Sequence, residues 1–117
     1  YDDPAGVTAA FNLNLLSRIN RELQGDFQLR KFRHEARWGS DRNRIEMHLV
    51  SQERQSVNVA GANCYATFDA GESIWTEASQ KFTTEMLWRY ALDSGFAPRA
   101  QWIDYEWPFA ESLWSVV

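Results

Sequence analysis

Glu77 and Ser79 lie two residues apart in "WTEASQKF", residues 75–82. The segment reads as a strand, and side chains two apart on a strand share a face. That alternation puts Trp75, Glu77, Ser79 and Lys81 on one face and Thr76, Ala78 and Gln80 on the other. A carboxylate and a hydroxyl beside an aromatic wall can hold both nitrogens of an imidazole ring. The carboxylate accepts one N–H, and the hydroxyl donates to or accepts from the other nitrogen. The same residues also suit a solvent-facing strand, where an exposed Glu and Ser need no ligand.

Other chemistries find less support. "HEARW" (34–38) begins like a zinc-protease helix, but Trp38 stands where the second His belongs, and the segment reads as a strand. His34 and His48 are the only histidines, and neither has a Cys at metal-ligand spacing, so no metal site is expected. Residues 28–44 interleave Arg30, Lys31, Arg33, Arg37, Arg42 and Arg44 with Phe32 and Trp38, a pattern a single-strand nucleic-acid surface could use. The solvated outer face of a hairpin is the preferred reading, because the whole chain carries a formal charge of −4. The six glycines form no G-x-G-x-x-G loop or P-loop, and no nucleophile motif is present.

These residues need elements to position them. Asp3-Pro4 suggests a helix start, with Pro at the first helical position. Val7, Phe11, Leu15, Ile19 and Leu23 then recur every fourth residue beside Leu16. This predicts a helix over 5–24 with that stripe buried, ended by Gly25. From Phe32 the period changes to two. Phe32–Trp38 and Arg44–Ser51 form a hairpin across Gly39–Asn43, with Ile45, Met47 and Leu49 on one face. Ser56–Ala60 and Cys64–Asp69 form a second hairpin, and Ser73–Phe82 a further strand. Thr83 or Thr84 caps a second helix ended by Gly95. Arg99–Tyr105 and Glu111–Val117 close the chain as strands around Pro108. The order is helix, four or five strands, helix, two strands: an α+β-like unit followed by what looks like the end of an α/β sheet.

With 117 residues, 44% of them hydrophobic and six of them Trp, the chain is long enough for a core. It has no apolar run long enough for a spanning helix, so no membrane partner is expected. One cysteine, Cys64, allows no internal disulfide and fits a reducing, cytoplasmic compartment. The chain opens at Tyr1 without Met or a targeting segment, which suggests a piece of something longer.

Several stretches together resemble the histidine-specific S-adenosylmethionine-dependent methyltransferases, a family known for making Nα-trimethylhistidine (hercynine) in ergothioneine biosynthesis. They are "YDDPAGVTAAFNLNLLSRINREL" (1–23), "FRHEARW" (32–38), "RIEMHLVS" (44–51), "FDAGESIWTEASQKF" (68–82) and "SGFAP" (94–98). The resemblance implies the C-terminal part of a Rossmann-like α/β methyltransferase carrying a helix-plus-antiparallel-strand substrate-binding insertion. Residues 1–81 would form most of the substrate-binding domain, and residues 82–117 the last helix and two strands of the core. S-adenosylmethionine would be bound mainly by a part outside this chain.

By the same resemblance Glu77 and Ser79 match the pair that binds the substrate imidazole. Met47 matches a residue lining that pocket, and Tyr1 a Tyr that contacts the substrate carboxylate. Thr8 and Phe11 match helix positions near the pocket. The implied partner is a small amino acid, histidine or a relative, methylated on its α-amine. Glu77 and Ser79 would recognise the substrate, and no catalytic acid–base residue is assigned here. A non-catalytic small-ligand or protein-interaction module with this fold is the alternative. A truncated core could also expose sheet edge and self-associate.

Overall fold

A computed structural model describes all 117 residues. The chain is mixed α/β with antiparallel sheets and divides into two compact units, Tyr1–Gln80 and Lys81–Val117.

The first unit opens with helix α1, Val7–Leu23. The helix starts later than the sequence suggests, because Asp3 caps it from a preceding turn. The backbone N–H groups of Val7 and Thr8 donate to the two Asp3 carboxylate oxygens at 2.9 Å. Pro4 therefore lies in the turn, and Gly6 takes the left-handed conformation (φ 72°) that lets the chain enter the helix.

The buried face of α1 also differs from the expected one. Asn12 and Leu16 are buried, 4% and 1% exposed, whereas Val7 and Phe11 are 68% and 66% exposed. Leu15 and Leu23 lie on the exposed side with them. The four-residue repeat predicts the core stripe along Val7, Phe11, Leu15 and Leu23, but the sheet takes the Asn12–Leu16 face instead. What decides this is the sheet's own apolar surface: Leu16 packs with Phe32 and Leu49, and Leu13, Phe27, Leu29, Phe68 and Ile74 surround them. The rings of Phe27, Phe32 and Phe68 meet at centroid distances of 5.5–6.5 Å.

Strands β1 (Phe32–Gly39), β2 (Arg44–Ser51) and β5 (Ser73–Gln80) form an antiparallel sheet in the order β1-β2-β5. Strands β3 (Gln55–Val59) and β4 (Cys64–Phe68) form a separate hairpin with Val57 and Val59 buried. Between them, the turn Ala60–Ala62 presses on the end of α1. A Cβ on Gly61 would sit 2.6 Å from the Leu23 carbonyl oxygen, so glycine is needed there. Cys64, the first residue of β4, is exposed.

In the second unit, helix α2 (Thr84–Asp93) is capped by Thr83, whose hydroxyl accepts from the Met86 N–H at 3.2 Å. Gly95 follows with φ 80°. Strands β6 (Phe96–Asp104) and β7 (Phe109–Val116) pair antiparallel. Asp104 holds their turn by accepting from the N–H groups of Glu106 and Trp107. No helix is long and apolar enough to cross a membrane.

Candidate functional site

The inner face of the three-stranded sheet, against which α1 packs, carries His34, Ala36, Ile45, Met47 and Leu49. On β2 these alternate with the outward Arg44, Glu46, His48 and Val50. Cross-strand pairing places the β5 residues on this frame. Ser79 is opposite Ile45 and Glu77 opposite Met47, so both face inward. Trp75 is opposite His48 and therefore faces outward.

The expected shared face of Trp75 and Glu77 is thus corrected. The register shifts between Met47 and His48, and Thr76 is the extra residue of a β-bulge. Two side-chain bonds hold the bulge: the Thr76 hydroxyl donates to the Met47 carbonyl at 3.0 Å, and the Trp75 indole N–H donates to the Glu77 carbonyl at 2.9 Å. The aromatic wall beside Glu77 comes from α1 instead. Phe11, Asn12, Asn14, Leu15 and Arg18 line a cavity of about 240 Å³ with Thr76 and Glu77.

Of the anticipated residues only Glu77 and Phe11 line that cavity; Ser79, Met47, Tyr1 and Thr8 do not. Met47 is buried behind Glu77. The Tyr1 hydroxyl meets the Ser79 hydroxyl at 2.7 Å. Thr8 is half-buried on the first turn of α1, where its N–H binds Asp3. Those bonds, with the one from Val7, hold the Asp3 carboxyl down at about 2.

Sequence reasoning missed three residues. Asn12 points its side-chain amide at the His34 ring, Nδ2 to Nδ1 at 3.0 Å, and at the His48 carbonyl at 3.3 Å. His34 Nε2 lies 2.7 Å from the Tyr1 carbonyl oxygen. Thr76 forms the bulge. One signal was available for Asn12: it stands four residues before Leu16, a polar position on the helix face that holds a core leucine.

The outer face is a different electrostatic world. Arg33 and Arg37 each contact Glu35 at 2.7 Å, and this pairing lowers the Glu35 carboxyl, Arg37 more than Arg33. Arg44 and His48 bracket Glu46, and the His48 bond is the larger cause of its lowered carboxyl. Arg44 also stacks 4.6 Å over the Trp75 ring. The basic run of residues 28–44 is therefore largely paired with acids on its own face. Glu77, on the inner side, takes part in none of these ion pairs.

The model of the family described as "Histidine-specific methyltransferase, SAM-dependent" matches residues 1–116. The chain belongs to that family. Among its relatives, this family member is 45% identical over 113 residues to the histidine N-alpha-methyltransferase of Mycolicibacterium smegmatis. It is 44% identical over the same length to the protein of that name from Mycobacterium tuberculosis. Each match takes in 97% of this methyltransferase-family chain but only 35% of the relative, so the chain spans about a third of their length.

Proposed function

We propose that this chain is the C-terminal portion of a methyltransferase that acts on the α-amine of histidine or a closely related amino acid, and that it supplies side-chain recognition. Tyr1–Gln80 with the residue that follows (1–81) would be most of the substrate-binding domain. Residues 82–117 would be the last helix and two strands of a Rossmann-like core. The observation that carries the reading is the inward pair Glu77 and Ser79, set opposite Met47 and Ile45, with Glu77 lining a cavity against Phe11.

In this reading Glu77 accepts the imidazole N–H and Ser79 meets the other ring nitrogen. Met47 backs the pocket, and Phe11 covers the ring from α1. Tyr1 fixes the Ser79 hydroxyl and reaches toward the substrate carboxylate, while Thr8 shapes the helix entrance. Glu77 is exposed in this chain, so its selectivity comes from the charge-assisted hydrogen bond it offers, which a ligand without a matching N–H forgoes. None of these residues acts as an acid or base. Their work is alignment of a neutral amine, which suits an in-line displacement.

S-adenosylmethionine supplies the methyl group when bound. Its binding is assigned mainly to residues outside this chain, because the glycines here open no loop that could cradle an adenosine. The product on histidine would be its Nα-methylated forms, ending in hercynine on the route to ergothioneine, in the cytoplasm. Alone, the 117 residues would show no turnover. Exposed apolar side chains such as Trp102, Phe109 and Leu113 would favour their self-association.

The test is Glu77→Ala in a full-length protein carrying this segment. Histidine use should collapse while S-adenosylmethionine affinity holds. Unchanged histidine kinetics would refute the assignment.

A further inference from the structure

Asn12 is 4% exposed, yet it sits one turn from Leu16 on the helix face that meets the core. A buried amide at such a place is costly unless it is bonded. Its Nδ2 carries two hydrogens, and two acceptors receive them: His34 Nδ1 at 3.0 Å and the His48 carbonyl at 3.3 Å. The orientation of the amide is fixed by that pair of acceptors.

The consequence passes to His34. Nδ1 accepts from Asn12, so the ring proton sits on Nε2. Nε2 faces the Tyr1 carbonyl oxygen at 2.7 Å, and a carbonyl can only accept. Both neighbours therefore demand the same tautomer. The Tyr1 backbone is tied down, and its phenol reaches Ser79 at 2.7 Å. Asn12, on α1, thereby sets the hydroxyl pair at the far end of β5 through two bonded steps.

We propose that Asn12 and His34 are positioning residues that hold Tyr1 against Ser79 and so set the placement of the second imidazole contact. The inference rests on the reading of Glu77 and Ser79 as the substrate pair. His34 does not line the cavity, and Asn12, which does, spends both amide hydrogens on His34 and the His48 carbonyl. Their effect travels through Tyr1, and it should fall on ligand binding more than on turnover.

The experiment is steady-state kinetics on histidine in a full-length protein carrying this segment, at saturating S-adenosylmethionine. His34→Phe keeps a ring but removes the donor to Tyr1. It should raise KM about tenfold and change kcat far less. His34→Gln, which can donate to the same carbonyl, should recover most of the loss. In a Tyr1→Phe background, His34→Phe should add little, because the group it positions is gone. An unchanged KM in folded His34→Phe overturns the proposal, as do effects that simply multiply in the double variant. If His34→Phe does not fold, the similarly sized Asn12→Leu takes its place. It removes the donor to Nδ1 and should raise KM in the same direction, and an unchanged KM again overturns the proposal. Glu77→Gln separates the two levels. If it loses histidine use while His34→Phe keeps its KM, the positioning chain alone fails; if neither changes KM, the site assignment fails with it.

Discussion

Trp75 and Glu77 are two residues apart on one strand, yet they face opposite sides of the sheet. Trp75 lies under the Arg44 guanidinium on the outer face, and Glu77 opens to the cavity beneath α1. Thr76, the extra residue between them, breaks the alternation. Arg33, Arg37 and Arg44 are engaged on the other side of the sheet, and the cation that shares the cavity with Glu77 is Arg18 of α1, itself paired with Glu22.

Replacing the Glu77 carboxylate by an amide should cost recognition directly. A charged hydrogen bond contributes about 1.5–3 kcal/mol, so Glu77→Gln should lower kcat/KM for histidine roughly 10- to 100-fold in a full-length protein. Equilibrium binding of S-adenosylmethionine should not move. Equal losses for both ligands would point to a folding defect instead.

Thr76→Val preserves shape and removes the hydroxyl that donates to the Met47 carbonyl. The expected stability loss is about 1 kcal/mol. Histidine KM should rise as well, because the bulge aims Glu77. Thr76→Ser keeps the donor and should behave more like the parent. A Val variant indistinguishable from the parent in both readouts would show that the bulge does not depend on this bond.

Asp3 gives a pH signature. Its folded pKa, about 2, lies below the ordinary 3.8 because the N–H groups of Thr8 and Val7 bind the charged form. A depressed folded pKa means the contribution to stability is full above pH 4 and fades as pH falls toward 2. Melting curves of Asp3→Ala and the parent should therefore differ at pH 6 and converge at acid pH. A difference that persists undiminished at pH 2 would contradict the capping role.

The face of α1 can be read by a pair of alanine variants. Leu16→Ala, in the core with Phe32 and Leu49, should cost ~3 kcal/mol. Val7→Ala, on the exposed stripe, should stay within ~0.5 kcal/mol. Chemical denaturation of the two variants decides it, and a larger loss for Val7 would restore the four-residue stripe as the buried one.

Periodicity alone determined most of the elements. The alternation in Phe32–Trp38 and Arg44–Ser51 identified a hairpin, because a strand's side chains repeat every second residue. Thr83 and Gly95 marked the ends of α2, since capping is chemistry between neighbours in sequence. The candidate pair Glu77 and Ser79 was legible for the same local reason, and their common inward face survives the bulge because both lie after it. What only the tertiary structure decided is which of two apolar stripes on α1 meets the sheet, and what stands beside each polar group. Leu16 won over Val7 and Phe11 because the sheet offers Phe32 and Leu49 at that place, a relation between residues far apart in the chain. The bulge at Thr76 depends on the register of β5 against β2, which no count along β5 reveals. The path from Asn12 through His34 and Tyr1 to Ser79 joins four segments by hydrogen bonds whose partners are fixed only when the chain has folded.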